Sequence, residues 1–216
     1  MILVAVEGII GAGKTTLAEK LESRINASGR ARAILVTEPT QEDSPWLKRY
    51  YEDQKRWAFH TQLAMLIGRA QMVRWAVKSE AIADIVIFDR SIIGDRMFAY
   101  ANHQLGYMSD DEMNLYATTH AMLIDRTYQS SPIDCVLHVK TDVSDAMSGI
   151  IERNRAGESG VTPEYQKLLS EGLNSLLTDL TCRLLEVERL PLGEAYDLQV
   201  DRLADHLCDQ LHQHQE

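Results

Sequence analysis

Gly8-Ile9-Ile10-Gly11-Ala12-Gly13-Lys14-Thr15 is the stretch that decides the fold, and Ile2-Leu3-Val4-Ala5-Val6 runs into it as a short apolar strand candidate. Thr16-Leu17-Ala18-Glu19-Lys20-Leu21 continues it with helical spacing. A buried strand must therefore end, turn tightly and begin a helix within eight residues. Such a turn leaves several backbone N–H groups converging on one small concavity at a helix N-terminus. Glycines at 8, 11 and 13 let the backbone bend and approach a phosphate closely. Lys14 is then placed to reach the β- and γ-phosphates, and the Thr15 hydroxyl to ligate Mg²⁺. A glycine-rich turn carrying Lys-Thr by coincidence is the alternative, and strand and helix in register on either side argue against it. Residues Gly8, Gly11, Ala12, Gly13, Lys14, Thr15 and Thr16 are accordingly assigned to a nucleoside triphosphate.

Working outward, further strand candidates occur at 33–38, 84–89, 134–139 and 183–189, added to the first at 2–7. Helical patterns fill about 54–79, 109–129, 163–181 and 198–213. Short apolar strands alternating with helices predict an α/β fold, a parallel five-stranded sheet with helices on both faces. No repeat or Pro/Gly-rich linker divides the chain, so residues 1–216 read as one domain. In such sheets ligands sit beyond the carboxyl ends of the strands, which is where the chemistry is expected.

The composition narrows the partners. With 22 Lys and Arg against 32 Asp and Glu, the formal net charge is −10, which disfavours nucleic acid and anionic membranes. No apolar run is long enough to span a bilayer, and the first strand candidate begins at Ile2. Cys135, Cys182 and Cys208 are odd in number and widely spaced, as free thiols in a reducing compartment would be. A soluble cytoplasmic protein is the expectation.

The strand ends hold the candidate chemistry. Thr37-Glu38-Pro39 puts a carboxylate at a strand terminus, either as a general base for an attacking hydroxyl or as a helix cap or surface acid. Phe88-Asp89-Arg90-Ser91 ends the third strand. Asp89 there suits Mg²⁺ and Arg90 a transferring phosphoryl group; a surface ion pair followed by Ser91 as N-cap is the alternative. On the helix near 54–79, Gln62, Met65 and Arg69 share one narrow face beside Phe59, Leu63 and Leu66. That face is either a solvated polar edge or a buried wall needing polar partners such as a nucleobase edge. Arg153 and Arg155 precede Gly157-Glu158-Ser159-Gly160, either a lid over the phosphates or an exposed charged loop.

Together these pieces resemble the deoxynucleoside kinase family, most closely its bacterial-type purine and cytosine members. The resemblance runs from the phosphate loop to about residue 165. It rests on Gly8 to Thr15, Glu38-Pro39, Ser44-Pro45-Trp46-Leu47 with Tyr50-Tyr51, Arg56 to Gln62, Asp89-Arg90-Ser91 with Asp95, and Arg153, Arg155 and Glu158 in order. It implies a P-loop nucleoside-kinase fold with an Arg-bearing lid at about 153–162, using ATP and Mg²⁺ and acting on a deoxynucleoside. Glu38 would take the proton from the 5′-hydroxyl, and Arg90 and Lys14 would hold the phosphoryl group. Thr15 and Asp89 would hold the metal, and Arg153 and Arg155 would close over the triphosphate. Tyr51 and Glu158 would bind the 3′-hydroxyl. Gln62, Met65, Arg69, Asp95 and Phe98 would contact the base, with deoxyadenosine or deoxyguanosine favoured and deoxycytidine allowed. Ile93 stands where relatives often carry an aromatic, and Gly149 where some carry a further lid arginine. A homodimer packed through long helices is also implied. A thymidylate-type monophosphate kinase shares the sheet, but the Arg before Glu38 and the glycines after Pro39 that it needs are missing. A nucleotide-sensing switch would need Asn-Lys-x-Asp, which is missing too.

Overall fold

The computed structural model describes residues 1–37, 44–78, 82–128, 133–154 and 160–213. Five parallel strands, β1 (Ile2–Glu7), β2 (Ala33–Val36), β3 (Ile85–Asp89), β4 (Cys135–Lys140) and β5 (Arg183–Glu188), form one sheet in the order β2-β3-β1-β4-β5. The helices are α1 (Lys14–Ser28), α2 (Pro45–Glu52), α3 (Gln54–Lys78), α4 (Ile92–Gln104), α5 (Asp110–Tyr128), α6 (Val143–Arg153), α7 (Pro163–Thr178) and α8 (Glu194–Gln213).

Alternation along β1 explains the layering. Ile2, Val4 and Val6 enter one core with Leu17 and Leu21 of α1, Leu169 of α7 and Leu207 of α8. Leu3 and Ala5 enter the opposite core with Val73 and Ala76 of α3. Because both faces are covered, the central strands read as unbroken apolar runs. A third cluster joins α2, α3, α4 and α5 around Tyr50, Leu66, Ile92 and Tyr116.

Local chemistry sets the helix ends. Ser44, Ser91 and Thr162 cap α2, α4 and α7 by accepting from Leu47, Ile93 and Tyr165 N–H groups. Pro45 and Pro163 sit at first helical positions, where a missing N–H costs nothing. Three short helices, α2, α4 and α6, are poorly signalled by periodicity alone, and α4 is announced only by Ser91 as a possible N-cap. The expected helix over 163–181 stops at Thr178, with the Asp179 N–H bonded to Leu176 O, so the chain can enter β5. The last helix starts at Glu194, ahead of 198.

The register sets the site. Val6 pairs with Asp89 and Glu7 with His138, so the turn after β1 lies between the ends of β3 and β4. The chain leaves β1 to one side and later crosses to the other, and that switch point opens the crevice.

Candidate active site

Backbone geometry dominates the loop after β1. Gly11 and Gly13 have φ of 81° and 93°, in the left-handed region that side chains resist. A Cβ on Gly11 would lie 2.1 Å from Ala146 O of α6, so space as well as torsion demands glycine. Gly13 precedes α1 without any side-chain cap, leaving the first-turn N–H groups aimed at the cavity. The Lys14 ammonium donates to Ile9 O at 2.8 Å across the loop. The wide cavity of about 820 Å³ above it is lined by Gly11 through Leu17, Gly149, Arg153, Arg189 and Tyr196. Gln166, fully buried on α7, donates to Ile10 O at 2.5 Å and anchors the loop from behind.

Thr15 Oγ1 donates to Asp89 Oδ2 at 2.5 Å, joining the loop to the end of β3. A hydroxyl and a carboxylate side by side are hard oxygen donors. They suit Mg²⁺, which binds through one or two protein oxygens and keeps the rest as water and phosphate. Among the described residues, no group of three or more His, Cys, Asp or Glu side chains is placed to hold a metal ion.

Arg90 follows with φ of 72°, an uncommon conformation for a residue with a Cβ. Its backbone N–H donates to Val6 O at 3.1 Å, and its guanidinium donates to Gly8 O at 3.1 Å. Glu7 faces it at 3.7 Å. Glu7 is wholly buried and accepts from the Ser91 N–H and hydroxyl, each at 2.8 Å. Burial raises the Glu7 pKa above 4.5, opposed by Arg90 and the Ser91 hydrogen bonds. A Cβ on Gly94 would fall 2.1 Å from the Glu7 carboxylate, so glycine makes room for it. Asp89 and Arg90 are buried, which removes the surface-ion-pair alternative, while Ser91 does cap α4.

The second wall begins at Phe98, whose ring lies 4.6 Å from the Arg90 guanidinium carbon and 5.8 Å from that of Arg69. Gln62, Met65 and Arg69 are all buried on one face of α3, so the solvated-edge alternative fails. The Gln62 amide nitrogen has no hydrogen-bond partner among the described residues. Arg69 forms a buried ion pair with Asp95 of α4, and Asp95 also accepts from the Tyr116 hydroxyl of α5. Tyr51 meets Tyr50 edge to face at 5.5 Å, and Tyr50 is held by Asn102 at 2.8 Å. Glu38, Arg155 and Glu158 lie outside the described residues.

Glu7, Tyr116 and Gln166 escape a motif reading. An acid inside an otherwise apolar buried strand was the available signal for Glu7. The other two signal nothing locally, because their partners lie 21 and 156 residues away. Gly149 also acquires a reason: a Cβ there would lie 2.5 Å from Gly11 O and 2.9 Å from Arg189 Nη2. Close packing of α6 on the loop leaves no room for a side chain. Ile93 is partly buried against the second core.

Comparison with known proteins follows the same outline. The family model described as Deoxynucleoside kinase matches residues 4–203. The deoxyadenosine kinase of Dictyostelium discoideum is 27% identical over 197 residues, covering 90% of this chain and 74% of the relative. The deoxyguanosine kinase of Lactobacillus acidophilus is 29% identical over 203 residues, covering 91% and 77%. The structure of M. mycoides deoxyadenosine kinase with bound dCTP superposes with a TM-score of 0.77 at 22% identity, covering 95% of this chain and 98% of that one. At that identity the superposition speaks for the fold, a P-loop kinase fold.

Proposed function

This chain belongs to the deoxynucleoside kinase family, and on that premise we propose that it phosphorylates the 5′-hydroxyl of a purine deoxynucleoside from ATP. Deoxyadenosine and deoxyguanosine are the favoured acceptors and deoxycytidine a weaker one. The observation that carries the reading is the shared position of Phe98 beneath both Arg90 and Arg69. It makes the phosphate loop and the α3–α4 wall two halves of one site, one for the donor and one for the acceptor.

Glu38 takes the 5′-hydroxyl proton as the oxygen attacks the γ-phosphorus and the bond to the β-phosphate oxygen breaks, releasing ADP. Arg90, fixed by Val6, Gly8 and Glu7, holds the attacking oxygen and the moving phosphoryl group without reorganising. Lys14 and the loop N–H groups bind the phosphate oxygens, and Arg153 and Arg155 close over them. Thr15 and Asp89 would hold Mg²⁺, which would supply charge neutralisation at the phosphates. Tyr51 and Glu158 bind the 3′-hydroxyl. Gln62, Met65, Arg69 and Phe98 face the base, with Asp95 acting through Arg69.

The chain acts as one domain, in the cytoplasm and as a homodimer. Exposed Ile67 on α3 and Leu115 and Met122 on α5 support pairing of copies through those helices. No helix among the described residues is long and apolar enough to cross a membrane. ADP release measured with ATP and a panel of deoxynucleosides and their monophosphates tests the reaction. Turnover with monophosphates alone would overturn it, and sedimentation tests the dimer.

A further inference from the structure

The cavity of about 820 Å³ extends past the phosphate loop to the segment that leaves β5 and enters α8. Leu190, Pro191 and Leu192 line it there, followed by Tyr196 and Gln199 of α8. Three apolar residues beside an aromatic ring suit the flat face of a nucleobase, and a few polar groups among them would fix its edge. The segment is held in place at its start. The Arg189 backbone N–H donates to Lys140 O at 3.2 Å, and its guanidinium donates to Asp145 O of α6.

Among the described residues lining the cavity, Gln199 alone carries an amide. Its Nε2 donates to Glu188 O, the last carbonyl of β5, at 3.0 Å. A main-chain carbonyl only accepts, so the nitrogen must stay on that side and the amide cannot exchange its ends. Oε1 is therefore an acceptor in a fixed place, with the second N–H of Nε2 beside it.

We propose that Gln199 reads the base of the phosphate donor: pinned by Glu188 O, its amide selects a 6-aminopurine triphosphate over a 6-oxopurine one. Adenine sets the N6–H donor beside the N7 acceptor, a pair that a glutamine amide meets with one acceptor and one donor. A 6-oxopurine sets O6 beside N7, two acceptors, so one of them faces Oε1 lone pair to lone pair. A mobile amide would slide to offer O6 its N–H alone, and the bond to Glu188 O opposes that shift. The inference rests on the kinase reading, with this cavity as the donor site.

The test is kcat/KM for ATP, GTP and inosine triphosphate at one saturating deoxynucleoside, in the native enzyme, Gln199→Leu and Gln199→Arg. Inosine triphosphate carries the 6-oxo group without the 2-amino group, so it isolates the position that Gln199 reads. The native enzyme is expected to favour ATP about tenfold over both others, chiefly through the donor KM. Gln199→Leu should bring the three donors within about threefold of one another. Gln199→Arg, which only donates, should place GTP and inosine triphosphate above ATP. A merely structural role would lower all three donors alike, and ratios unmoved in both variants overturn the proposal. So does a native enzyme indifferent to the 6-substituent, which is the deciding measurement if neither variant folds. Displacement of a fluorescent ATP analogue gives the same three ratios as Kd values without turnover. Ordered Kd values with no turnover of any deoxynucleoside would sink the kinase reading alone, whereas good turnover with unmoved ratios sinks Gln199 alone.

Discussion

The two halves of the crevice are built on different principles. The donor half is one contiguous loop whose ligands are backbone N–H groups, and its shape depends on torsions that glycine alone adopts freely at Gly11 and Gly13. The acceptor half is made of side chains from α3, α4 and α5, joined by a buried ion pair and hydrogen bonds across the fold. A backbone cradle recognises what all triphosphates share. On the proposed reading, a side-chain wall would recognise what distinguishes one base from another, and it is correspondingly open to change by single substitutions.

The largest effect should come where the halves meet. Glu38→Gln is expected to cut kcat by about 10²–10⁴-fold with little loss of ATP binding; unchanged kcat would remove Glu38 as the base. Next comes a property of the acceptor half alone. Burial lowers the His120 pKa from 6.5 to about 4, opposed by its contact with Ile92 O at 3.0 Å. Between those values the unfolded chain binds a proton that the folded one does not, so stability falls as pH drops from 6.5 toward 4. The full loss is roughly 3 kcal/mol. Urea midpoints across this range should show it, and His120→Gln should flatten the profile.

Gly11→Ala attacks the donor half through its backbone. Positive φ and the contact with Ala146 O predict a destabilisation of about 2 kcal/mol and weaker ATP binding, with acceptor preference untouched. If acceptor preference shifts as well, the halves are not separable. Arg69→Met combined with Asp95→Ala is the converse. Removing both members avoids stranding a buried charge. Turnover of deoxyadenosine, deoxyguanosine and deoxycytidine should fall about tenfold while thymidine gains, by the loss of paired polar contacts. Survival of all three activities would break the specificity argument. As a control outside both halves, Asp201→Asn removes a half-exposed pair with Arg24 at 3.2 Å and should move Tm by no more than about 2 °C.

The contrast also governs what could be read without coordinates. The loop after β1 was legible because its signal is local: eight consecutive residues carry the turn and the start of the helix that follows. Asp89 closes β3 opposite Val6 and Arg90 follows it, at the strand end where the alternation of strands and helices leads one to look. The α3 face was legible as geometry, because Gln62, Met65 and Arg69 recur at helical spacing, but not as environment. Nothing in that spacing says whether solvent or a second helix covers it. Glu7 looked like the last residue of a strand; only packing shows it as the partner of Arg90 and Ser91.

By itself, the sequence determined the parallel α/β sheet, the triphosphate loop and the family, because these depend on short-range periodicity and on residues adjacent in the chain. Only the tertiary structure decided that the α3 wall is buried, that Arg69 is tied to Asp95, and that Tyr116 completes the set. Those facts depend on which helices pack together and on how many hydrogen bonds each buried group already makes. Both are properties of residues distant in sequence brought into contact in a dry interior, where each donor and acceptor must be matched.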